Sequence, residues 1–286
     1  MASIFEPAVS ELAAADRVVF GPRSFRDYVT AHDLEAGPRT PRYISVDALE
    51  DLSPALREAG VMVFRMGAAP DGTGTAFVLV DADDLEDFFL RDDEIFADRP
   101  AETLQSPVGR ERLLPYTALP TRSETTLVNL GLTSGVLAEA LELDSAGAID
   151  PPATGRSTFT FDVRPHSDHD SIVTHRNGQV EIDALVLESR DGEPTLFVLE
   201  AKTGPRRSLA KHKLVYPVLA IAEEVPPEIP IVPVYLRCRE GDDTVTFEVA
   251  ECRLPDPRRR LPGLDDLEVV HSRVIDLELS DCYGSV

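Results

Sequence analysis

The chain contains no tryptophan and only three methionines and three cysteines in 286 residues. Cys238, Cys252 and Cys282 are odd in number and show no CxxC spacing. That pattern argues against a disulfide framework and against a zinc site, and two half-buried thiols on neighbouring strands are expected instead. Lysine is nearly absent: of 28 basic residues only Lys202, Lys211 and Lys213 are lysines. No stretch of eighteen apolar residues occurs, so no membrane-spanning helix and no membrane partner are expected. The opening MASIFEPAVSELAAADRVVF has no basic start followed by an apolar stretch, so a cytoplasmic location is expected rather than a secretory leader.

Acid, by contrast, is abundant. The 51 Asp and Glu residues leave a net charge of -23. This lysine-poor, acid-rich composition resembles that of proteins adapted to concentrated salt, as in halophilic archaea. At molar salt the Debye length falls to about 3 Å, so only local charge governs which partner binds. Global acidity therefore does not exclude a nucleic-acid partner. The 43% hydrophobic content is enough for a packed core.

The three lysines fall within twelve residues. The window EAKTGPRRSLAKHK, residues 200–213, holds five basic residues and one acid. A composition that removes lysine elsewhere and keeps it here points to a chemical need here.

Coarse patterning divides the chain at a proline-rich stretch, 98–121, expected to be a loop. Residues 1–115 form a small α/β region, a candidate for substrate recognition or partner contact. Ser53-Pro54 marks a helix start. VMVFRM and TAFVLV read as strands on either side of the turn AAPDGTG, the wing of an expected winged-helix-like unit. DADDLEDFFL reads as a short amphipathic helix. From Thr121, TRSETTLVNLGLTSGVLAEALEL reads as one helix, with Thr121 and Glu124 as a capping box. STFTFDVRP, GQVEIDALVLE and TLFVLEAK read as strands. SLAKHKLVYPVLAIAEEV reads as a helix that Pro217 should kink or restart. IPIVPVYLRCR and TVTFEVAECR are two further strands, and 256–286 reads as a C-terminal extension. The second domain is thus 116–255.

The chemistry concentrates in NGQVEIDALVLESRDGEPTLFVLEAKTG. Asp191-Gly192 is a strong hairpin signal. A symmetric loop there sets Asp183 opposite Glu200 and Glu181 opposite Lys202. Directly opposed residues have Cβ atoms about 4.5–5.5 Å apart. Strand alternation then sends Glu181, Asp183, Glu200 and Lys202 to one face. Carboxylates this close resist ionising together unless a cation joins them, and Mg²⁺ suits carboxylate oxygens.

In these residues, EID followed by VLEAK, the sequence resembles the PD-(D/E)XK, or restriction-endonuclease-like, nuclease superfamily. The resemblance covers about residues 121–250. It implies an α/β fold with a mixed sheet and a core of helix, three-stranded meander, helix and strand. It also implies a Mg²⁺- or Mn²⁺-dependent endonuclease acting on DNA in restriction, defence or repair, with homodimers common. Asp183 and Glu200 would hold the metal, and Lys202 would assist the water or the transition state. Glu181 and Glu124 would be accessory acids, with Glu139 the alternative to Glu124. Arg206, Arg207, Lys211, Lys213 and Tyr216 would contact nucleic acid. No proline precedes Asp183, a departure from the superfamily's frequent pattern. A catalytically inactive module of the same fold, binding nucleic acid or a protein, is the alternative. Of the weaker signals, HSDHD (His166–Asp170) is expected to be a solvated loop, and His175 and Arg176 loop charges within reach of phosphate.

Overall fold

The computed structural model describes residues 4–15, 17–34, 41–71, 73–82, 84–145 and 149–279. Cys282 lies outside the described residues.

Helix α1 (Glu6–Ala14) leads into β1 (Val19–Ser24), whose last residue caps α2 (Phe25–Ala31) by accepting the Asp27 N–H. Two short helices follow, α3 (Pro41–Ile44) and α4 (Pro54–Glu58). Ser53 caps α4 and Pro54 takes its first position, as the Ser-Pro pair predicts. β2 (Val61–Ala68) and β3 (Thr75–Asp81) flank the Gly-rich turn and pair antiparallel. DADDLEDFFL is not the amphipathic helix its spacing predicts. A 3-10 turn over Leu85–Phe88 opens into β4 (Phe89–Arg91), because the apolar end of the segment is claimed by a strand more than a hundred residues away.

The proline-rich stretch also differs from expectation. It carries α5 (Asp92–Ile95) just ahead of it, then β5 (Ala101–Leu104) and α6 (Arg110–Thr117). The single helix predicted from Thr121 is two, α7 (Glu124–Thr133) and α8 (Val136–Ala140). Gly135, at φ 85, breaks it. The cap is Ser123, whose Oγ accepts the Thr126 N–H, so Glu124 is released from the predicted capping box.

β6 (Ala153–Val163), β7 (Val173–Arg190) and β8 (Glu193–Lys202) form an antiparallel meander. β9 (Ser208–Ala210) takes the first residues of the predicted helix and pairs with β4. α9 (His212–Ile221) then continues past Pro217 without restarting. β10 (Ile231–Glu240) lies parallel to β8, and β11 (Thr244–Arg253) pairs antiparallel with β10. The C-terminal extension holds a further strand, β12 (Glu268–Glu278), which joins β11 antiparallel and β5 parallel.

The result is a mixed α/β fold on a ten-stranded mixed sheet, ordered β1-β3-β2-β7-β8-β10-β11-β12-β5 with β6 also on β7. β2 meets β7 at Gly67 and Arg176, among the described residues the single β-bridge between the first three strands and the rest of the sheet. Gly67 sits at φ 74, and a Cβ there would stand 2.3 Å from the Arg176 carbonyl oxygen. α7 and α8 cover one face of the sheet, packing Leu127, Leu130 and Leu137 onto Ala184, Phe197, Leu199, Ala201 and Leu236. Burying one such Leu or Phe stabilises by roughly 1.5–3 kcal/mol. α9 covers the other face with Leu214, Val215 and Tyr216. There it shares one core with Phe64, Met66 and Phe88 from the N-terminal segment. Residues on both sides of the expected 115/116 boundary thus lie in one sheet and one core. Among the described residues no helix is long and apolar enough to cross a membrane.

Candidate active site

The site begins at a two-residue turn. Asp191 and Gly192 have φ 54 and 80, the pair of positive values that a tight hairpin turn requires. Asp144 clamps the turn, its carboxylate accepting from Ser189 Oγ and from the backbone N–H groups of Asp191 and Gly192. Pairing then runs from Arg190–Glu193 to Ala184–Leu199, the register expected from the sequence.

At Asp183 the two strands part. β7 shifts its register against β6 between Gly155–Ile182 and Ala153–Leu185, so it absorbs one extra residue there. Asp183 Oδ2 accepts the Ala201 N–H at 2.8 Å, taking the donor that a continued ladder would have used. Phe197, Leu199 and Ala201 pack under α7 and α8, so Glu200 and Lys202 project to the opposite face, toward α9.

Glu200 is 3% exposed. Its Oε1 lies 2.7 Å from Lys202 Nζ and 3.7 Å from Lys213 Nζ on α9. Lys213 also reaches Asp47 Oδ1 at 3.5 Å, which brings the N-terminal segment into the cluster. Burial pushes the Glu200 carboxyl up to about 7, Asp183 adds to the push, and the two lysines pull against it. For Lys202 burial acts downward, but Glu200, Glu124 and Asp183 outweigh it and hold the ammonium above its ordinary range. Lys213 is raised in the same way: burial opposes and Glu200 and Asp47 prevail. Asp47 is held below the usual carboxylate range, burial being outweighed by Lys213, His212, Lys202 and Arg206. The cluster therefore holds two firmly charged ammonium groups around one carboxyl poised near neutrality.

The other expected residues divide. Glu124, first in α7, accepts from Thr203 N at 3.0 Å and Thr203 Oγ1 at 3.3 Å, and so ties that helix to the end of β8 beside the site. Glu139 bonds to Arg273 instead. Glu181 is not opposite Lys202, because the β7–β8 ladder ends at Ala184 and Glu181 pairs with Arg156 on β6. It stands exposed at the mouth of a neighbouring cleft. Arg206 reaches Asp51 at 2.7 Å. The Arg207 backbone N–H donates to Glu50 and its side chain is exposed. Lys211 is not brought to the site; its Nζ donates to the Asp265 carbonyl at 3.1 Å. Tyr216 is buried, its hydroxyl 3.6 Å from Met66 Sδ.

Two residues, Asp47 and His212, escaped the sequence reading and a third, His175, was misplaced by it. Asp47 carries no local signal, since only tertiary folding delivers it. His175 is not a loop charge but a buried residue of β7, stacked on Phe161 at 4.7 Å. His212 heads α9. HSDHD is likewise not solvated throughout. His166 is 7% exposed, with Nε2 3.6 Å from Asp87 and 3.8 Å from Asp265.

A family model described as a domain of unknown function, DUF6997, matches residues 99–265, more than half of the chain. The chain belongs to this family. No curated protein and no solved structure matches it. The DUF6997 region contains Asp183, Glu200, Lys202, Lys213 and Glu124, whereas Asp47 comes from outside it. Among the described residues no group of three or more His, Cys, Asp or Glu side chains is arranged to hold a metal ion. What the DUF6997 region does offer is a pair of carboxylates on adjacent strands with two lysines against one of them.

Proposed function

We propose that the chain is a metal-dependent nuclease that hydrolyses DNA phosphodiester bonds at Asp183, Glu200 and Lys202. The observation that carries this is the geometry where β7 and β8 part: the buried Glu200 carboxyl meets Lys202 at 2.7 Å, one strand from Asp183. Perturbed carboxyls beside a specific charge partner cluster at functional sites. The order α7–α8, β6-β7-β8 meander, α9, then β10 parallel to β8 supports a restriction-endonuclease-like core.

Asp183 and Glu200 supply oxygen donors that fit a small hard cation such as Mg²⁺ or Mn²⁺. A raised carboxyl held beside a second acid is the electrostatic condition that such a cation relieves. When bound, the metal would polarise a phosphate oxygen and acidify a coordinated water. The protein's own groups do the rest. Lys202, kept charged, faces the phosphate and offsets charge that develops on it. Lys213 holds Glu200 and Asp47 in place. Asp183 stays aimed because the Ala201 N–H fixes one of its oxygens.

Incubation with plasmid, single-stranded and branched DNA at high KCl, with and without Mn²⁺, tests the proposal. Cutting should require the metal and should fall by about 10²-fold or more in Lys202→Ala. Full activity in that variant refutes the role of Lys202.

The alternative, a nuclease-fold module without turnover, gains from one observation. Two lysines already neutralise Glu200, and among the described residues no third acid or histidine is arranged with Asp183 and Glu200 to hold a metal ion. A Mn²⁺ titration separates the two: a catalytic site binds the ion in an Asp183-dependent way, and an inert one does not.

A further inference from the structure

The large sheet ends at three strands, β1, β5 and β6, and two of these edges are closed to a further strand. β1 carries Pro22 and shifts its register against β3 between Phe20 and Arg23. β5 is four residues long, and its Glu102 is taken by Arg273. Proline, irregularity, charge and shortness are the devices that keep an edge from pairing.

β6 has little of this protection. It runs for eleven residues, Ala153–Val163, without a proline. The ladder with β7 holds two extra residues, one between Ile182 and Leu185 and one between His175 and Gly178. Both belong to β7, so β6 itself keeps an unbroken alternation. One edge of β6 lies on β7. Among the described residues no strand takes the other edge, which ends at Arg164 where the chain bridges Gly263. Residues 153–158 are exposed on both faces, and a Cβ on Gly155 would meet nothing within 4 Å. A row of unpaired N–H and C=O groups of this kind is a template for another strand.

The charge pattern selects the occupant. β6 contains one basic residue, Arg156, and one acid, Asp162. Both are exposed. Strand alternation sets them on one face with Thr158 and Thr160, away from Phe159 and Phe161, which pack against the core. Among the described residues the Arg156 guanidinium makes no hydrogen bond or ion pair, and the Asp162 carboxylate accepts only from the Thr174 hydroxyl. Antiparallel pairing of β6 with itself, about an axis through Phe159, sets Arg156 of each copy opposite Asp162 of the other and Thr158 opposite Thr160. Directly opposed charges of opposite sign and Thr–Thr pairs both stabilise a sheet. The strand is therefore complementary to itself, and two copies of a chain at -23 can meet along it without setting acid against acid.

We propose that β6 is the contact of a two-fold homodimer in which the two β6 strands pair antiparallel and the sheets of both copies become one. The inference is independent of the nuclease reading.

The test uses the full chain at high KCl. Sedimentation equilibrium over a dilution series should show a monomer–dimer equilibrium. Amide hydrogen exchange on the same series should show residues 153–163 protected at high protein concentration and released on dilution, with β1 and β5 unchanged. Arg156→Glu sets acid against Asp162 at both ends of the contact and should raise the dimer dissociation constant about tenfold. Arg112→Glu, which changes the net charge equally at an exposed position of α6, should leave it unchanged. A wild-type chain that stays monomeric at millimolar concentration, concentration-dependent protection that falls elsewhere than β6, or an Arg156→Glu variant that dimerises like wild type each overturns the assignment. The exchange measurement needs only the wild-type chain, so it decides the matter even where a variant fails to fold.

Discussion

Two buried charge clusters sit side by side on the central sheet, and they are built differently. Arg237 on β10 is paired in register with Lys202 on β8. Its guanidinium contacts Asp92 and the Arg206 carbonyl closely, Glu248 at 3.4 Å and the Gly204 carbonyl at 3.2 Å. Asp92 in turn accepts from the Tyr235 hydroxyl at 2.9 Å. With Arg239 on Glu248, this cluster balances two arginines against two acids. One strand away, Asp183, Glu200, Asp47 and Glu124 outnumber Lys202 and Lys213. Arginine's rigid fork fixes partners permanently, whereas lysine is a mobile point charge. The chain spends arginine where charge only has to hold the 204–206 backbone in place. Two of its three lysines stand in the second cluster, while Lys211 lies apart on the Asp265 carbonyl.

The contrast can be broken most sharply at Arg237. Arg237→Ala strands Asp92 and Glu248 in the core and should cost about 3–5 kcal/mol in urea unfolding at constant salt. A loss below about 1 kcal/mol would show that the arginine cluster is not structural.

Next in size is the pH response of Glu200. Its carboxyl is raised from 4.5 to about 7 in the folded chain. Between those values the unfolded chain ionises first, so stability falls as pH rises, by about 3 kcal/mol in all. His175 and His212 are pushed down, so they act with the opposite sign and lose stability as pH falls below 6.5. The difference between wild type and Glu200→Gln isolates Glu200: the variant should gain on wild type from pH 4.5 to 7. Parallel stability curves would mean that Glu200 titrates normally.

Asp183→Asn sharpens the comparison further. Asparagine still offers an oxygen to the Ala201 N–H, so stability should change by less than about 1 kcal/mol. Mn²⁺ affinity should nevertheless fall at least tenfold by calorimetric titration, and unchanged affinity would remove Asp183 from the metal. The smallest effect belongs to the exposed pair Arg206–Asp51: Arg206→Ala should cost about 0–1 kcal/mol, and less in high salt.

The hairpin was legible because its determinants are local. Asp191-Gly192 fixes the turn, the turn fixes the register, and the register sets Asp183 near Glu200. Lysine scarcity pointed to the same place. What the sequence hid is non-local. The extra residue taken up at Asp183 turns Glu181 away, and no spacing rule foretells it. Asp47 reaches Lys213 only through the shared core. β5 and β12 lie in stretches read as loop and extension because each is completed by the other, across more than 150 residues. The break at Gly135 was visible as a glycine, but apolar periodicity on both sides concealed it.

The glycine bridge between β2 and β7 has a consequence for how the protein tolerates change. Gly67 touches the Arg176 carbonyl, and Gly178 leaves just enough room for both Gly67 and the His175 ring, so three pieces of chain meet with no clearance. A single methyl at either glycine would act as a wedge, and the first three strands would have to shift away from β7 to admit it. The Asp47 segment would stay behind, tethered by the Ala210 N–H to the Asp47 carbonyl, so the joint can yield without the lysine cluster following it.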